Sequence, residues 1–336
     1  MYDLTRRNLL RTGVAAAAAG AVTSVGWAET APAYAGRRRR RPFVPYSRDS
    51  FFRSRIIGDP IDRARTRAFR SFMRSHPDQR EYPFPRINGV DGNDWGTAFA
   101  MGRARDPIWR LTGDHHPMAR RLERRGFHAP EWLGDMLTGT SDSPLCVVDR
   151  ASGFTMFCAD AEVVGPRLIR ASAGAITYHR SNGLDHRNPR SNDSRNFTSR
   201  GRISDAMVIR KDLVRYGVAN DTDLGHVLQM FLVETRTSDG YCSPMVDCET
   251  NNFGFGAQGE RLAIAPWVNL DRRRLSPEAR VIARTLQNYG CYIGDNSGSQ
   301  SCLKAEQEND RRRVWRGRLD RDALSGISWD DFVVLR

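Results

Sequence analysis

A mainly β fold, a jelly-roll-like β-sandwich with a few added helices, is what this sequence predicts, and three observations predict it. From residue 145 onward the chain is a series of short apolar segments: "LCVVD", "FTMFCA", "RLIRASAGAITYH", "GHVLQMFLVET" and "RLAIAPWVNL". Gly- and Asn-rich turns separate them, the usual pattern of strands. Helical periodicity is confined to a few stretches, which argues against an all-parallel α/β sheet.

The elements follow in order. Residues 1–35 read as an export leader, because "TRRNLL" is followed by an alanine-rich apolar run and by the small residues of "APAYAG". The apolar run is too short to span a bilayer. The paired Arg6 and Arg7 resemble a twin-arginine signal, which implies export of a folded protein, with cleavage after Ala35. Residues 36–50 begin with the five-arginine run Arg37–Arg41 and read as a disordered basic arm that adds little stability. Residues 51–336 form one domain with a helical, turn-rich N-terminal extension. Its first helix is expected to open at Asp59 and Pro60 and to end at Pro77, with a stripe through Phe69 and Phe72. A shorter helix starts near Ser204. A third is capped by Ser276, opened by Pro277 and stopped by Gly290. In "HVLQMFLVE" both alternate faces are apolar, which predicts a central strand covered on both sides.

Six cysteines in an exported chain predict disulfides. The spacing suggests three local pairs: Cys146–Cys158 across a hairpin turning at Ala151–Gly153, Cys242–Cys248, and Cys291–Cys302. No C-x-x-C pair is present to suggest zinc. Adjacent His115 and His116 point different ways in most backbones, and no metal or cofactor is expected. The glycine run "GFGAQG" at 254–259 has dinucleotide-loop spacing, but Pro266 would break a helix after it, so it reads as a turn. The formal net charge is +13, with Lys211 and Lys304 the only lysines. A basic surface favours acidic partners. Without a nucleic-acid-binding motif and outside the cytoplasm, acidic polysaccharide is the expected partner and nucleic acid is not.

"ASAGAI", "SNGL", "SDAM" with "LVRYG", "GHVLQ" and "ARVIARTLQNYGCYIGDNSG" give the chain a resemblance. It resembles a family of secreted bacterial and fungal proteins with a G-A-I strand, an S-N turn and a late helix ending in Y-G. The resemblance spans about residues 55–300 and implies architecture and secretion, with no assigned reaction. Where that pattern has an acidic residue after G-A-I, this chain has Thr177 and Tyr178.

The candidate site lies in "YHRSNGLDHRNPRSND", residues 178–193. Long polar loops leaving a rigid sheet are where sites tend to sit. A polysaccharide lyase needs a cation or amide to neutralise a uronate carboxylate and a base to remove the proton beside it. Tyr178, His179 and His186 are candidate proton carriers, with Asn182 and Arg187 as substrate binders. A glycoside hydrolase needs two carboxyl groups, about 5–10 Å apart. Asp185 supplies one, and Asp223 and Glu249 are candidates for the other. Trp95, in the turn "GNDWG", is a candidate sugar-stacking ring, and His226 reads as a buried structural histidine. The alternative function is carbohydrate or cell-wall binding, or an envelope role, without catalysis.

Overall fold

In the computed structural model the described residues are 40–113, 120–140, 142–183, 206–245 and 247–336. The leader, His115, His116, and the loop bearing Asp185, His186 and Arg187 lie outside them. The compact unit begins at Arg40.

Two six-stranded sheets carry the fold. Strands β1 (Arg86–Asn88), β8 (Leu228–Leu232), β9 (Arg261–Ile264), β10 (Cys291–Asn296), β11 (Cys302–Lys304) and β12 (Phe332–Val334) make the first, in the order β1-β11-β8-β10-β9-β12. The second contains β2 (Ala98–Gly102), β3 (Ile108–Thr112), β4 (Phe127–His128), β5 (Leu145–Asp149), β6 (Phe154–Gly165) and β7 (Leu168–Tyr178), ordered β2-β5-β6-β7-β3-β4. The chain is therefore mainly β, as its strand pattern predicts. Both sheets are mixed, however. β1–β11, β8–β10, β2–β5 and β3–β7 are parallel pairs, which depart from the antiparallel order of a jelly roll. Parallel neighbours need long crossovers, and the helices and turn-rich segments supply them.

Helix α1 (Arg63–Ser75) starts just after the expected point, and two short helices follow it, α2 (Pro77–Arg80) and α3 (Arg120–Arg124). Asp62 is the cap of α1, its carboxylate accepting from the backbone N–H of Ala64 and Arg65 at 3.0 and 2.9 Å. α1 buries Phe69 and Met73 and packs on β12. Helix α4 (Lys211–Asn220) occupies only the second half of the segment beginning at Ser204. Helix α5 (Pro277–Asn288) follows its sequence signals: Ser276 Oγ accepts from Ala279 N–H, and Ile282 and Leu286 are buried. It packs against β9 and α4. β8 is central in its sheet and buried at every position. "GFGAQG" leads into β9 and not into a helix. No described helix is long and apolar enough to cross a membrane.

The arm is a correction. From Arg41 onward it is packed, because its apolar side chains have partners in both sheets. Tyr46 is 3% exposed, and its hydroxyl meets Thr177 Oγ1 of β7 at 2.6 Å. Burial pushes the phenol well above its ordinary pKa. Phe52 stacks on His226, just before β8, with centroids 4.8 Å apart. Arg41 donates to Asp223, and Arg210 donates to the Phe43 carbonyl at 2.8 Å. Residues 41–52 thus strap one sheet to the other.

The disulfides are also corrected; none forms among the described residues. The β5–β6 hairpin exists, but its register sets Cys146 opposite Phe157 and Leu145 opposite Cys158. Neighbouring positions on a strand face opposite ways, so the two sulfurs lie on different faces. Cys291 pairs with Leu228 and Cys302 with Phe231, on the two flanks of β8. That is two strand spacings, roughly 10 Å, beyond the ~7 Å reach of a disulfide. The Cys242 thiol lies against Gly259, and Cys242 and Cys248 are unbridged. Alkylation of the folded protein is expected to label Cys242 and Cys248 and to spare Cys146, Cys158, Cys291 and Cys302, which are buried. A Cys146–Cys158 bridge in a non-reducing digest would overturn this register.

Candidate functional site

β5 ends in Asp149, and the chain turns at once. The Asp149 carboxylate is wholly buried and accepts from Ala151 N–H and Ser152 N–H, both at 2.9 Å. That is the local turn an aspartate at a strand end favours. Its other oxygen accepts from the backbone N–H of His128 at 2.9 Å and faces His128 Nδ1 at 3.1 Å. Burial opposes ionisation, but the backbone donors of His128 and Ser152 and their side chains outweigh it, holding the carboxyl below its ordinary range.

β4 and β2 are the two edges of their sheet, yet they meet here. A Cβ on Gly102 would lie 1.9 Å from the His128 carbonyl oxygen, so only glycine lets the curled sheet bring its edges together. The curl delivers His128 to Asp149. With Nδ1 held by a buried carboxylate, Nε2 is the nitrogen left for solvent, and the His128 side chain is 23% exposed. This is the orienting half of an Asp–His pair. Ser152 Oγ approaches the same Nδ1, at 3.4 Å. It therefore cannot be a nucleophile activated through Nε2, and the group is not a serine-hydrolase triad.

The sequence-derived candidates surround this pair unevenly. Tyr178 ends β7, half-buried against the core. His179 follows and is 9% exposed, its Nε2 against Thr155 Oγ1 at 3.2 Å and its ring against Phe43 at 5.1 Å. Burial lowers its pKa to about 4, although Asp149 nearby pulls the other way. Its ring is shielded by Phe43, over which Arg150 lies, and it has no open face towards a substrate. Asn182 sits in the turn where Ser47 N–H bonds the Ser181 carbonyl. Asp223 is buried at 2% and committed to Arg41, Arg55 and Asn288, so it is not free for catalysis. Trp95 lies far from His128 along the chain's path, before β2 instead of after it, and is 42% exposed. His226 is buried as expected, its Nδ1 bonded to the Val227 carbonyl and its pKa lowered by burial to about 3.

Sequence reasoning missed His128 and Asp149. Asp149 was legible only as a turn-former at a strand end, and His128 carries no local motif. Their contact spans 21 positions and depends on the curl of the sheet. Among the described residues no group of three metal-ligating side chains occurs. Compared with protein families, curated proteins and solved structures, the chain matches none.

The two buried histidines give a pH prediction. Unfolded histidine titrates near 6.5. His179 at about 4 and His226 at about 3 stay neutral in the folded state as pH falls. The unfolded chain then binds more protons, so stability present above pH 6.5 is lost on acidification, at up to about 1.4 kcal/mol per pH unit for each histidine. Glu306 acts in the opposite sense. Burial, then Asp212, raises it to about 7, so the folded state binds its proton first and gains stability below pH 7. The net expectation is a loss of about 1.4 kcal/mol between pH 6 and pH 5, read by denaturant unfolding. Ring-proton resonances of His179 and His226 should stay still between pH 7.5 and 5. Movement of either would show an accessible imidazole.

Proposed function

We propose that the protein is exported and cleaves an acidic polysaccharide by elimination, with His128 as the base. The observation that carries this reading is the Asp149–His128 pair. A buried, fully hydrogen-bonded carboxylate fixes the imidazole tautomer and leaves Nε2 to accept a proton. In the reaction Nε2 takes the proton beside a uronate carboxylate. Those electrons form the ring double bond, the bond to the adjoining sugar oxygen breaks, and that oxygen takes a proton from water as it leaves, while the His128 imidazolium returns its proton to solvent. Arg150, exposed at the turn after Asp149, supplies a positive charge for the uronate. Hydrolysis is less well supported at this place, because it requires two working carboxyl groups. Asp149 is wholly buried and already accepts from three backbone N–H groups. The two sheets are read as a sandwich-like scaffold with this pair at one end of β5.

The test is a panel of uronate-bearing and neutral polysaccharides, followed by the absorbance of unsaturated uronate and by reducing ends. The expected result is unsaturated product from uronate-bearing polymers alone. Reducing ends without that absorbance would mean hydrolysis. Binding without either product would leave a non-catalytic carbohydrate-binding protein.

A further inference from the structure

At the other end of β2 from Gly102 the surface opens into a cleft of about 930 Å³. The five residues of β2 put it on the order of 15–20 Å from His128 at ~3.3 Å per residue. One wall is the loop between β1 and β2, through Asp91 and Gly92; the other is the segment 308–317, with Lys211 at the head of α4 beside it. The wall loop is firmly built. Gln307 accepts from Gly96 N–H at 2.8 Å and donates to the Asn93 carbonyl at 3.0 Å, while Glu308 accepts from Asp91 N–H and Trp315 N–H.

The cleft carries cations without enough partners. Arg311 is paired with Asp135. Lys211, Arg313 and Arg316 form no ion pair among the described residues. The Arg312 guanidinium lies 3.5 Å from the centroid of Trp132, and its Nε is buried with nothing to donate to. Lys211 is held below its ordinary pKa by burial first, and then by the charges of Arg215, Arg316 and Arg312 against the pull of Glu306. Cations crowded in this way repel one another, and an anion between them relieves the repulsion. Trp95 stands on the same loop as Asp91 and Gly92, with an exposed ring.

We infer that this cleft is a second binding site, which takes the anionic groups of an acidic polysaccharide on Lys211, Arg312, Arg313 and Arg316 while Trp95 stacks on a sugar ring. The inference rests on the reading that the substrate is an acidic polysaccharide, and it adds a place that grips the chain away from the bond being broken. A polysaccharide fits better than a nucleic acid. The carboxylates of Asp91, Glu308 and Asp310 lie among the cations. They are tolerated by a polymer whose charges are spaced one or two sugars apart and oppose a continuous phosphate backbone.

The experiment compares the full-length protein with Arg313→Glu/Arg316→Glu and with Trp95→Ala. Binding is measured to polygalacturonate, heparin, dextran and a single-stranded oligonucleotide at two salt concentrations, after thermal melts have shown that the variants are folded. The expected result is binding of the two acidic polysaccharides and not of dextran. The double reversal should weaken it at least tenfold with a shallower salt dependence, and Trp95→Ala about tenfold. Unchanged affinity in folded variants overturns the site, as does an oligonucleotide bound as tightly as the polysaccharides. His128→Gln separates the two readings. If it abolishes product formation while the cleft variants bind like the parent, the cleft fails and the catalytic reading stands. If cleft-dependent binding occurs with no product from any polymer, the cleft stands and the catalytic reading fails.

Discussion

A chain that begins at Phe51 is expected to lose its cooperative unfolding transition, or to melt at least about 10 °C below the protein that retains residues 41–50. The truncation removes Tyr46, whose buried ring is worth about 3–5 kcal/mol by analogy with other aromatic deletions. It also removes the buried Val44 and leaves the hydroxyl of Thr177 without its tyrosine. Asp223 loses one of its two guanidinium partners, and Arg210 loses the Phe43 carbonyl. Burial acts against the charged form of Asp223, while Asn288, Arg41 and Arg55 hold its pKa low, so losing Arg41 exposes part of that burial cost. At least about 5 kcal/mol is at stake, which compares with the whole stability of an ordinary domain. Each kcal/mol moves the midpoint of a large domain by about 2–4 °C. A truncated chain that melts within about 4 °C of the parent would show that the strap is dispensable. Tyr46→Phe, which deletes only the hydroxyl, should cost about 1 kcal/mol.

The arm was misjudged from sequence because five consecutive arginines dominate its composition. Charge runs are usually solvated, and the apolar residues after this one show no periodicity, since they enter as a strap and not as a helix or strand. Local signals fared better. Ser276, Pro277 and Gly290 bracket α5 because caps and breakers act within a turn, and the alternating faces of 228–232 give the central β8. Strand order was not legible. Nothing local to Arg86 reveals that it pairs with Cys302, and the parallel pairings follow from crossovers of tens of residues or, for β1–β11, of more than two hundred. The cysteine error has the same origin: counting residues across a hairpin does not fix its register, and one position of slip moves a side chain to the other face.

His128→Gln should lower turnover of a uronate polymer by about 10²–10⁴, the usual contribution of a positioned acid–base group. Substrate affinity should change little, because the imidazole works on the reacting proton. Asp149→Asn is the more informative change. An amide keeps the size of the carboxylate, but where it offers its NH₂ to His128 it presents a donor to Nδ1 and favours the opposite tautomer, with the proton on Nε2. Turnover should fall by a comparable factor while the pH profile changes shape. Stability should fall too, since a single amide oxygen cannot replace both acceptors used by His128, Ala151 and Ser152. Full turnover in a folded His128→Gln variant would remove the pair from the mechanism. His179→Gln, by contrast, is expected to affect stability more than rate, because Phe43 covers that ring.

The site was half legible for a physical reason. The sequence directed attention to the end of β7, and the charge of Asp149 is felt by His179, so the sequence-derived candidates and the Asp149–His128 pair are neighbours. Within it, the roles were assigned by proximity in sequence. Burial reverses them: His179, rich in chemical promise on paper, is enclosed, whereas His128 is brought to the surface by a glycine contact with a distant strand.

The pairing pattern also bears on how the chain acquires its shape. Val334 N–H of β12 donates to Thr66 Oγ1 of α1, 268 positions away. β12 itself closes the sheet beside β9. Contacts this remote in sequence carry a large loop-closure cost before any reward and make for slow folding. An N-terminal portion emerging from the ribosome lacks the partners of both α1 and β1, so synthesis must run almost to Val334 before the first sheet can close.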